Sequence, residues 1–305
     1  MFMRRLYRHR IGFVALMTAA TVIASGASAR AASSVLVYSC GPGFANLCQI
    51  NGDGRGRKRL TTDGSPTVFA KKYLSPSLSR DGRRLAYLRG HHLYVLTRAS
   101  GRRTAALSNV AQLVRISPDG SKVGDLEQYP NPSGTGFMTN VCVFNSNAAG
   151  HEAGRNCVGS SGSLGFTNDN HVLASVSNLY DPSYDRYEKG ICLLMGGCDR
   201  FVVSEMGYDL FDPAVSPDGK LLAVTRAIPG RVEGEIAVYD YRTGALVRVL
   251  TTTHIDSGPV WSPDGKRIAF VRGAGTNSPR IFTVATAGGM PRLVVSKGRA
   301  VTWGR

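Results

Sequence analysis

The 305-residue sequence lacks the short signatures that announce chemistry most directly. There is no C-x-x-C pair and no histidine cluster, which argues against a zinc site and against dithiol redox chemistry. There is no G-x-S-x-G elbow and no glycine-rich phosphate loop leading into a helix. A serine hydrolase of that type and a nucleotide cofactor therefore have no support. Acid is scarce: 21 Asp and Glu stand against 37 Lys and Arg, a formal net charge of +16. Even so, no compact run of Lys and Arg interleaved with aromatics appears, which argues against nucleic acid as the partner. The cations are spread out, as solubility favours, and would draw in wall or lipid anions at long range.

Long apolar runs are also rare. One stands out at residues 11–23, free of charge, preceded by Arg4, Arg5, Arg8 and Arg10 and followed by Ala27-Ser28-Ala29. A basic start, a short apolar stretch and small residues read as a secretory signal over residues 1–29. The stretch is short for a membrane span. Cleavage falls after Ala29 or Ala31, leaving residues 30–305 as one secreted or periplasmic, cell-envelope domain with no transmembrane span. That domain keeps a charge of about +12 and its attraction to anions. Export also suits the six cysteines. Six can pair in fifteen ways, and proximity along the chain selects Cys40 with Cys48, Cys142 with Cys157 and Cys192 with Cys198. Each bridge would clip a local hairpin.

What is abundant is one repeated turn. Ser79-Arg80-Asp81-Gly82, Ser117-Pro118-Asp119-Gly120, Ser216-Pro217-Asp218-Gly219 and Ser262-Pro263-Asp264-Gly265 each precede a hydrophobic run, and Thr167-Asn168-Asp169-Asn170 is a worn copy. Successive aspartates are 38, 50, 49 and 46 residues apart. Proline sets φ at the second position, the aspartate accepts local N–H groups, and glycine or Asn170 takes the left-handed conformation. These aspartates are turn-makers before anything else. Short β-branched runs follow each turn: Leu93 to Leu96, Val141 to Phe144, Ile191 to Leu194, Ile236 to Tyr239 and Ile281 to Val284. Four short strands every 40 to 50 residues is propeller spacing.

The ends sharpen the count. Ser34 to Tyr38 reads as a second strand with no first strand before it. Leu47 to Ile50 would be the third, and Arg59-Leu60-Thr61 the start of the fourth. Ala300-Val301-Thr302-Trp303 aligns with Gly258-Pro259-Val260-Trp261 and would supply the missing strand, closing a ring of six blades. The expectation is an all-β, six-bladed propeller of four-stranded antiparallel blades.

The stretch Val260-Trp261-Ser262-Pro263-Asp264-Gly265-Lys266-Arg267-Ile268-Ala269-Phe270, with the turn at Asn51-Gly52-Asp53-Gly54, resembles TolB-type β-propellers and their WD40-like PD40 repeats. The resemblance covers nearly all of residues 30–305. It departs in blade four, whose turn loses proline and glycine, and in blade three, whose second strand, Val123-Gly124-Asp125-Leu126, is weak. It implies a propeller only, without the N-terminal domain that precedes the propeller in TolB. It says little about biochemistry, because this fold hosts receptors, scaffolds and lyases alike.

Function is expected on the rim that carries the long connections: residues 128–139, 178–190 and 229–234, with the blade-to-blade links 69–74 and 205–210. Tyrosine interspersed with charge suits recognition. The candidate ligand-binding residues are Lys71, Lys72, Tyr73, Arg115, Tyr180, Tyr184, Tyr187, Tyr208, Lys297 and Arg299. The reading is a monomeric, noncatalytic binding scaffold for a protein, peptide or glycan of the cell envelope or medium. The alternative is a lyase or hydrolase acting on a polyanionic or glycosyl substrate in the channel, with His254 and Asp256 as catalytic residues beside Arg115 and Lys297. No cofactor is implied unless Asp209, Asp212 and Asp256 converge, in which case calcium suits their oxygens.

Overall fold

The computed structural model describes residues 34–106, 111–130, 137–146, 156–159, 162–181, 186–195, 198–252 and 254–305. The expected leader, His151 and Tyr184 lie outside the described residues. No helix among the described residues is long and apolar enough to cross a membrane.

The repeated turn folds as its chemistry demands. The hydroxyls of Ser79, Ser117, Ser216 and Ser262 donate to Asp81, Asp119, Asp218 and Asp264 at 2.6–2.7 Å. The same hydroxyls accept the N–H five residues on, as Arg84 to Ser79 at 3.0 Å and Arg267 to Ser262 at 2.9 Å. The worn copy works the same way in a turn one residue shorter: Thr167 donates to Asp169, the N–H of His171, four residues on, donates to Thr167 Oγ1 at 2.9 Å, and Asn170 takes φ +65° in place of glycine.

The described strands form six four-stranded antiparallel sheets, and in blades II to VI the turn joins the first strand to the second. Blade I pairs Arg299–Gly304, Val35–Cys40, Asn46–Asn51 and Lys58–Arg59; blade II pairs Tyr73–Leu78, Arg84–Arg89, His92–Thr97 and Arg102–Ala106. Blade III pairs Ala111–Ile116, Lys122–Pro130, Phe137–Asn145 and Asn156–Gly159; blade IV pairs Leu164–Phe166, Val172–Asp181, Arg186–Leu194 and Cys198–Val203. Blade V pairs Asp209–Val215, Leu221–Ala227, Gly234–Asp240 and Leu246–Val249; blade VI pairs Asp256–Trp261, Arg267–Arg272, Arg280–Ala285 and Arg292–Val295.

The closing strand is the predicted one: Leu36 faces Trp303 and Tyr38 faces Val301 in antiparallel register. All three bridges join the neighbouring cysteines, Cys40–Cys48, Cys142–Cys157 and Cys192–Cys198.

Strand alternation builds the core. In Val35–Cys40 every residue is buried, because both faces of a blade meet another blade. Val35 and Val37 pack with Tyr73, Leu85 and Tyr87 of blade II, while Leu36, Tyr38 and Cys40 pack with Ala269, Val271 and Ile281 of blade VI. Each of the other interfaces has its own cluster. The core is thus a ring of six separate contacts, and no blade is stable without its neighbours.

Three sequence expectations need correction. The second strand of blade III is not weak; it runs nine residues, Lys122–Pro130. Gly124 belongs there because a Cβ would crowd Leu164 and Phe166 of the next blade at 3.1 and 3.3 Å. The described parts of residues 128–139 and 178–190 are strand rather than loop, because the strands of blades III and IV extend to Pro130 and from Phe137, and to Asp181 and from Arg186. The fourth strand of blade I stops at Arg59, since Leu60 and Thr61 N–H both turn onto the Leu47 carbonyl, at 2.8 and 3.3 Å.

Two outcomes test this account. Trp303→Ala removes a large side chain, 5% exposed, from the contact between blades I and VI. It should cost about 3–5 kcal/mol in urea unfolding of the oxidised protein, and a loss under about 1 kcal/mol would contradict the role of the closing strand. Partial burial pushes Asp119 up, but hydrogen bonds from Ser121 N–H, the Ser117 and Ser121 hydroxyls and Asn170 outweigh it and hold the carboxyl at about 2. A lowered folded value means its stabilisation is complete above about pH 4 and is lost as pH falls through the folded value. The stability gap between wild type and Asp119→Asn should therefore be flat above about pH 4 and close by about pH 2.

Candidate functional site

The first strand of each blade lines the channel, and its inner edge has no strand to pair with. Side chains of the preceding blade supply the missing acceptors. Val114 and Ile116 N–H of blade III donate to Ser75 Oγ and Ser77 Oγ of blade II, both at 3.0 Å. Leu78 N–H of blade II donates to Thr302 Oγ1 of blade I at 2.9 Å. Asp212 N–H of blade V donates to Ser163 Oγ of blade IV at 2.7 Å, and Gly258 N–H of blade VI donates to Asp212 Oδ2 at 3.2 Å.

A kink recurs in blades II, V and VI four residues before the turn's first position, and in blade I at the matching position of the closing strand. Ser75, Asp212 and Ala300 take φ +48°, +52° and +47° there, and Gly258 takes +65°. The pairing register shifts at the same points. This is a bulge that turns the strand end toward the channel. A left-handed aspartate is tolerable when its side chain is anchored, and Asp212 Oδ2 also accepts the Thr225 hydroxyl at 2.9 Å.

On the rim of the blade-to-blade links the channel opens into a cavity of about 480 Å³, lined by Phe44, Phe69, Lys72, Arg115, Asp212 and Arg299 among others. Its ionisable lining is three cations and one carboxylate. Lys72 follows the short helix Phe69–Lys71, and its carbonyl accepts Gly90 N–H at 2.9 Å. Arg299 opens the closing strand, lies 5.0 Å from the Phe44 ring and donates to the Thr276 carbonyl at 3.2 Å. Arg115 rises from blade III and donates to the Val114 carbonyl at 3.0 Å. It touches channel space yet is surrounded by protein. That enclosure pushes its pKa down from the ordinary arginine value, and the Asp212 charge opposes the push. Among the described residues, none of these three cations forms an ion pair with a carboxylate.

Of the predicted ligand-binding residues, Lys72, Arg115 and Arg299 come together in this mouth. Lys71 and Lys297 are exposed and do not line it. Tyr73 is instead a core residue, 1% exposed. Its hydroxyl donates to Asp63 at 2.9 Å, and burial followed by that bond pushes its pKa up to about 12. Tyr208 has its ring covered by the Arg226 guanidinium at 3.8 Å. Tyr180 and Tyr187 pair with each other across the blade IV hairpin.

The proposed acid–base and metal sets do not assemble. Asp256 is fully buried, with its two oxygens on Arg272 at 2.8 and 2.9 Å. His254 is exposed in a separate groove with Tyr208, Arg231 and Glu233. Asp209 pairs with Lys189 at 2.7 Å, Asp212 is taken by Thr225 and Gly258, and Asp256 by Arg272, so the three carboxylates do not converge. Among the described residues, Asp125, Glu127 and Cys142 bring three ligand-type atoms close together, but the Cys142 sulfur is bonded to Cys157.

Sequence reasoning missed Phe44 and Phe69 at the mouth, whose only signal was their place in connections on the correct rim. It also missed Arg226, held by Glu205 at 2.9 Å and Glu235 at 2.6 Å.

No family model matches the sequence. Among solved structures, the chain is similar to TolB from Acinetobacter baumannii with a TM-score of 0.67 and 17% identity, over 89% of this chain and 66% of that one. It is similar to a putative TolB from Agrobacterium tumefaciens with a TM-score of 0.54 and 15% identity, over 88% of this chain and 91% of that one. It is also similar to an oligogalacturonate lyase in complex with manganese, with a TM-score of 0.53 and 16% identity, over 82% of this chain and 70% of that one. At these identities the shared property is the fold, and the chain is a six-bladed propeller structurally related to TolB-like propellers.

Proposed function

We propose that this chain is an exported, monomeric binding propeller of the cell envelope or medium that captures a carboxylate-bearing glycan in the mouth formed by Lys72, Arg115 and Arg299. The observation that carries the reading is the charge imbalance there. Elsewhere two enclosed cations are answered by acids, Arg226 by Glu205 and Glu235 and Arg272 by Asp256, while Arg80, Arg84 and Arg98 are taken up by neutral acceptors of the fold. At the mouth three cations face the same space with Asp212 as the single acid. A cation partly shielded from water gains far more from an anion than an exposed pair does, about 4 kcal/mol against 1 at 4 Å. The apolar faces of Phe44 and Phe69 supply surface for the C–H faces of sugar rings. The leader at residues 1–29 and the three local disulfides support an exported setting.

A second reading keeps the ligand and adds turnover. It is favoured by the likeness to a protein named oligogalacturonate lyase, a carboxylate-bearing oligosaccharide being that protein's namesake. In this chain elimination would have to run at the mouth itself, because His254 and Asp256 are held apart from it.

Calorimetric titration with uronate oligomers, neutral oligosaccharides of equal length and acidic peptides tests the assignment. Uronate binding should weaken about tenfold in Lys72→Ala or Arg299→Ala and fall with added salt. Tighter binding of acidic peptides would move the ligand to that class, and equal binding of neutral sugars would sink the charge argument. Release of unsaturated products from the same oligomers would establish the lyase reading.

A further inference from the structure

The second position of the repeated turn is proline in blades III, V and VI, but Arg80 in blade II and Asn168 in blade IV. These two departures find each other. Arg80 Nη2 donates to Asn168 Oδ1, skipping blade III. Asn168 Nδ2 then donates to the carbonyls of Ser216 and Pro217 in blade V at 3.1 and 3.2 Å. The Arg80 backbone is fixed as well: its N–H donates to Pro118 O at 2.9 Å, and its carbonyl accepts Arg305 N–H at 3.2 Å. One residue of blade II thus reaches blades I, III and IV.

Arg80 also lines a chamber of about 140 Å³ at the channel, together with Arg115, Pro118, Pro217, Trp261 and Trp303 among others. Arg115 and Asp212 line both this chamber and the larger mouth on the opposite rim. Proline, short and without a donor, walls the chamber in the intact turns but cannot reach across it. Arginine, with a long stem and five donors in a planar fork, can. Arg80 and Asn168 have therefore exchanged the preset backbone of the repeat for a connection at the inner edge of the turn rim.

We infer that the Arg80–Asn168 bridge closes the channel at the turn rim and makes it a blind pocket, so that the ligand of the opposite mouth is held by one of its ends. The part about the ligand rests on the proposed function; the closure does not. A ligand lying across an open channel could thread it or bind anywhere along its length. A blind channel with a guanidinium at its floor selects a terminus.

The chain reports on its own closure. It has two tryptophans, and both line the chamber that Arg80 lines, 7% and 5% exposed. Acrylamide, a small neutral quencher, should barely reach them in the wild type. Arg80→Ala and Asn168→Ala should each raise the quenching constant about twofold or more, and the double variant should add little, because either change removes the one connection. Near-ultraviolet circular dichroism checks that the fold persists. Should an alanine variant fail to fold, Arg80→Met keeps the stem, loses the guanidinium and reads the same opening. Quenching that is equal in wild type and folded variants overturns the closure. For the ligand, a uronate oligomer blocked at both ends should bind the wild type at least about tenfold more weakly than the free oligomer; equal affinity overturns end recognition. Failure of every uronate oligomer to bind would remove the proposed ligand while the quenching experiment still decides the closure.

Discussion

The constraint on which this molecule rests is the open inner edge of each first strand. A four-stranded blade satisfies its own backbone everywhere except along its two outermost strands, and the innermost one faces a channel too narrow for bulk water to solvate evenly. The solution is local and repeated. A hydroxyl or carboxylate from one blade accepts an N–H from the next, as in Ser75 to Val114, Ser77 to Ile116, Thr302 to Leu78 and Asp212 to Gly258. Each such bond adds only about 1 kcal/mol net, but losing its acceptor strands a buried donor at a cost of about 1–3 kcal/mol. The same bonds set the angle between blades, so the ring and the channel are fixed by one device. The closing strand takes part through Thr302, which ties the last segment of the chain to blade II as well as to blade I.

That device also decides what lines the channel. Two residues before the five turns the chain has Ser77, Arg115, Gly165, Ala214 and Val260, and the matching position of the closing strand is Thr302. Five of these are short, as a crowded axis of converging strands requires. The sixth is Arg115, whose length fits only because the others are small. A cation at the axis is expensive to enclose, and its nearest answer, Asp212, is already bonded to Thr225 and Gly258. Interiors rarely keep such an imbalance for stability alone, because a charge held away from water is a net cost unless something pairs with it.

The architecture was legible in the sequence because its information is local. A turn of four residues, a hydrophobic run and a disulfide between neighbours can each be read from a window of a dozen positions. Even the worn turn kept its hydroxyl, its aspartate and a residue that accepts positive φ, so Thr167 to Asn170 still folds as a turn. Errors came where composition and pairing conflict. Residues 178–190 contain Asn, Asp, Pro and Gly and so read as a loop, but Leu179, Tyr180 and Tyr187 favour a strand, and the hairpin pairs on through them. The site was only partly legible, for a different reason. Which partner each carboxylate meets depends on strand register within a blade and on contacts between blades, so Asp209, Asp212 and Asp256 look alike in sequence and are distinguished by Lys189 of the neighbouring blade and by Thr225 and Arg272 of their own.

Global and local charge then do different work. An excess of cations draws any polyanion to the surface and is blunted by salt beyond a Debye length of about 8–10 Å. It cannot choose between anions. Several of the basic side chains are spent inside the fold, donating to carbonyls and hydroxyls: Arg84 to Gly120 and Ser146, Arg98 to Gly82 and Gln49, and Arg80 to Asn168. Those guanidiniums hold turns together and offer little to a ligand. Choice must come from cations that are partly dried and, among the described residues, left without a carboxylate in an ion pair, and the mouth gathers them at Lys72, Arg115 and Arg299. The broken repeat at Arg80 and Asn168 bears on the same selectivity from the other rim. Where a repeat protein abandons its own consensus at two positions that then bond to each other, the departure relocates a constraint from the turn to the channel, and the channel is where a propeller can afford to be particular.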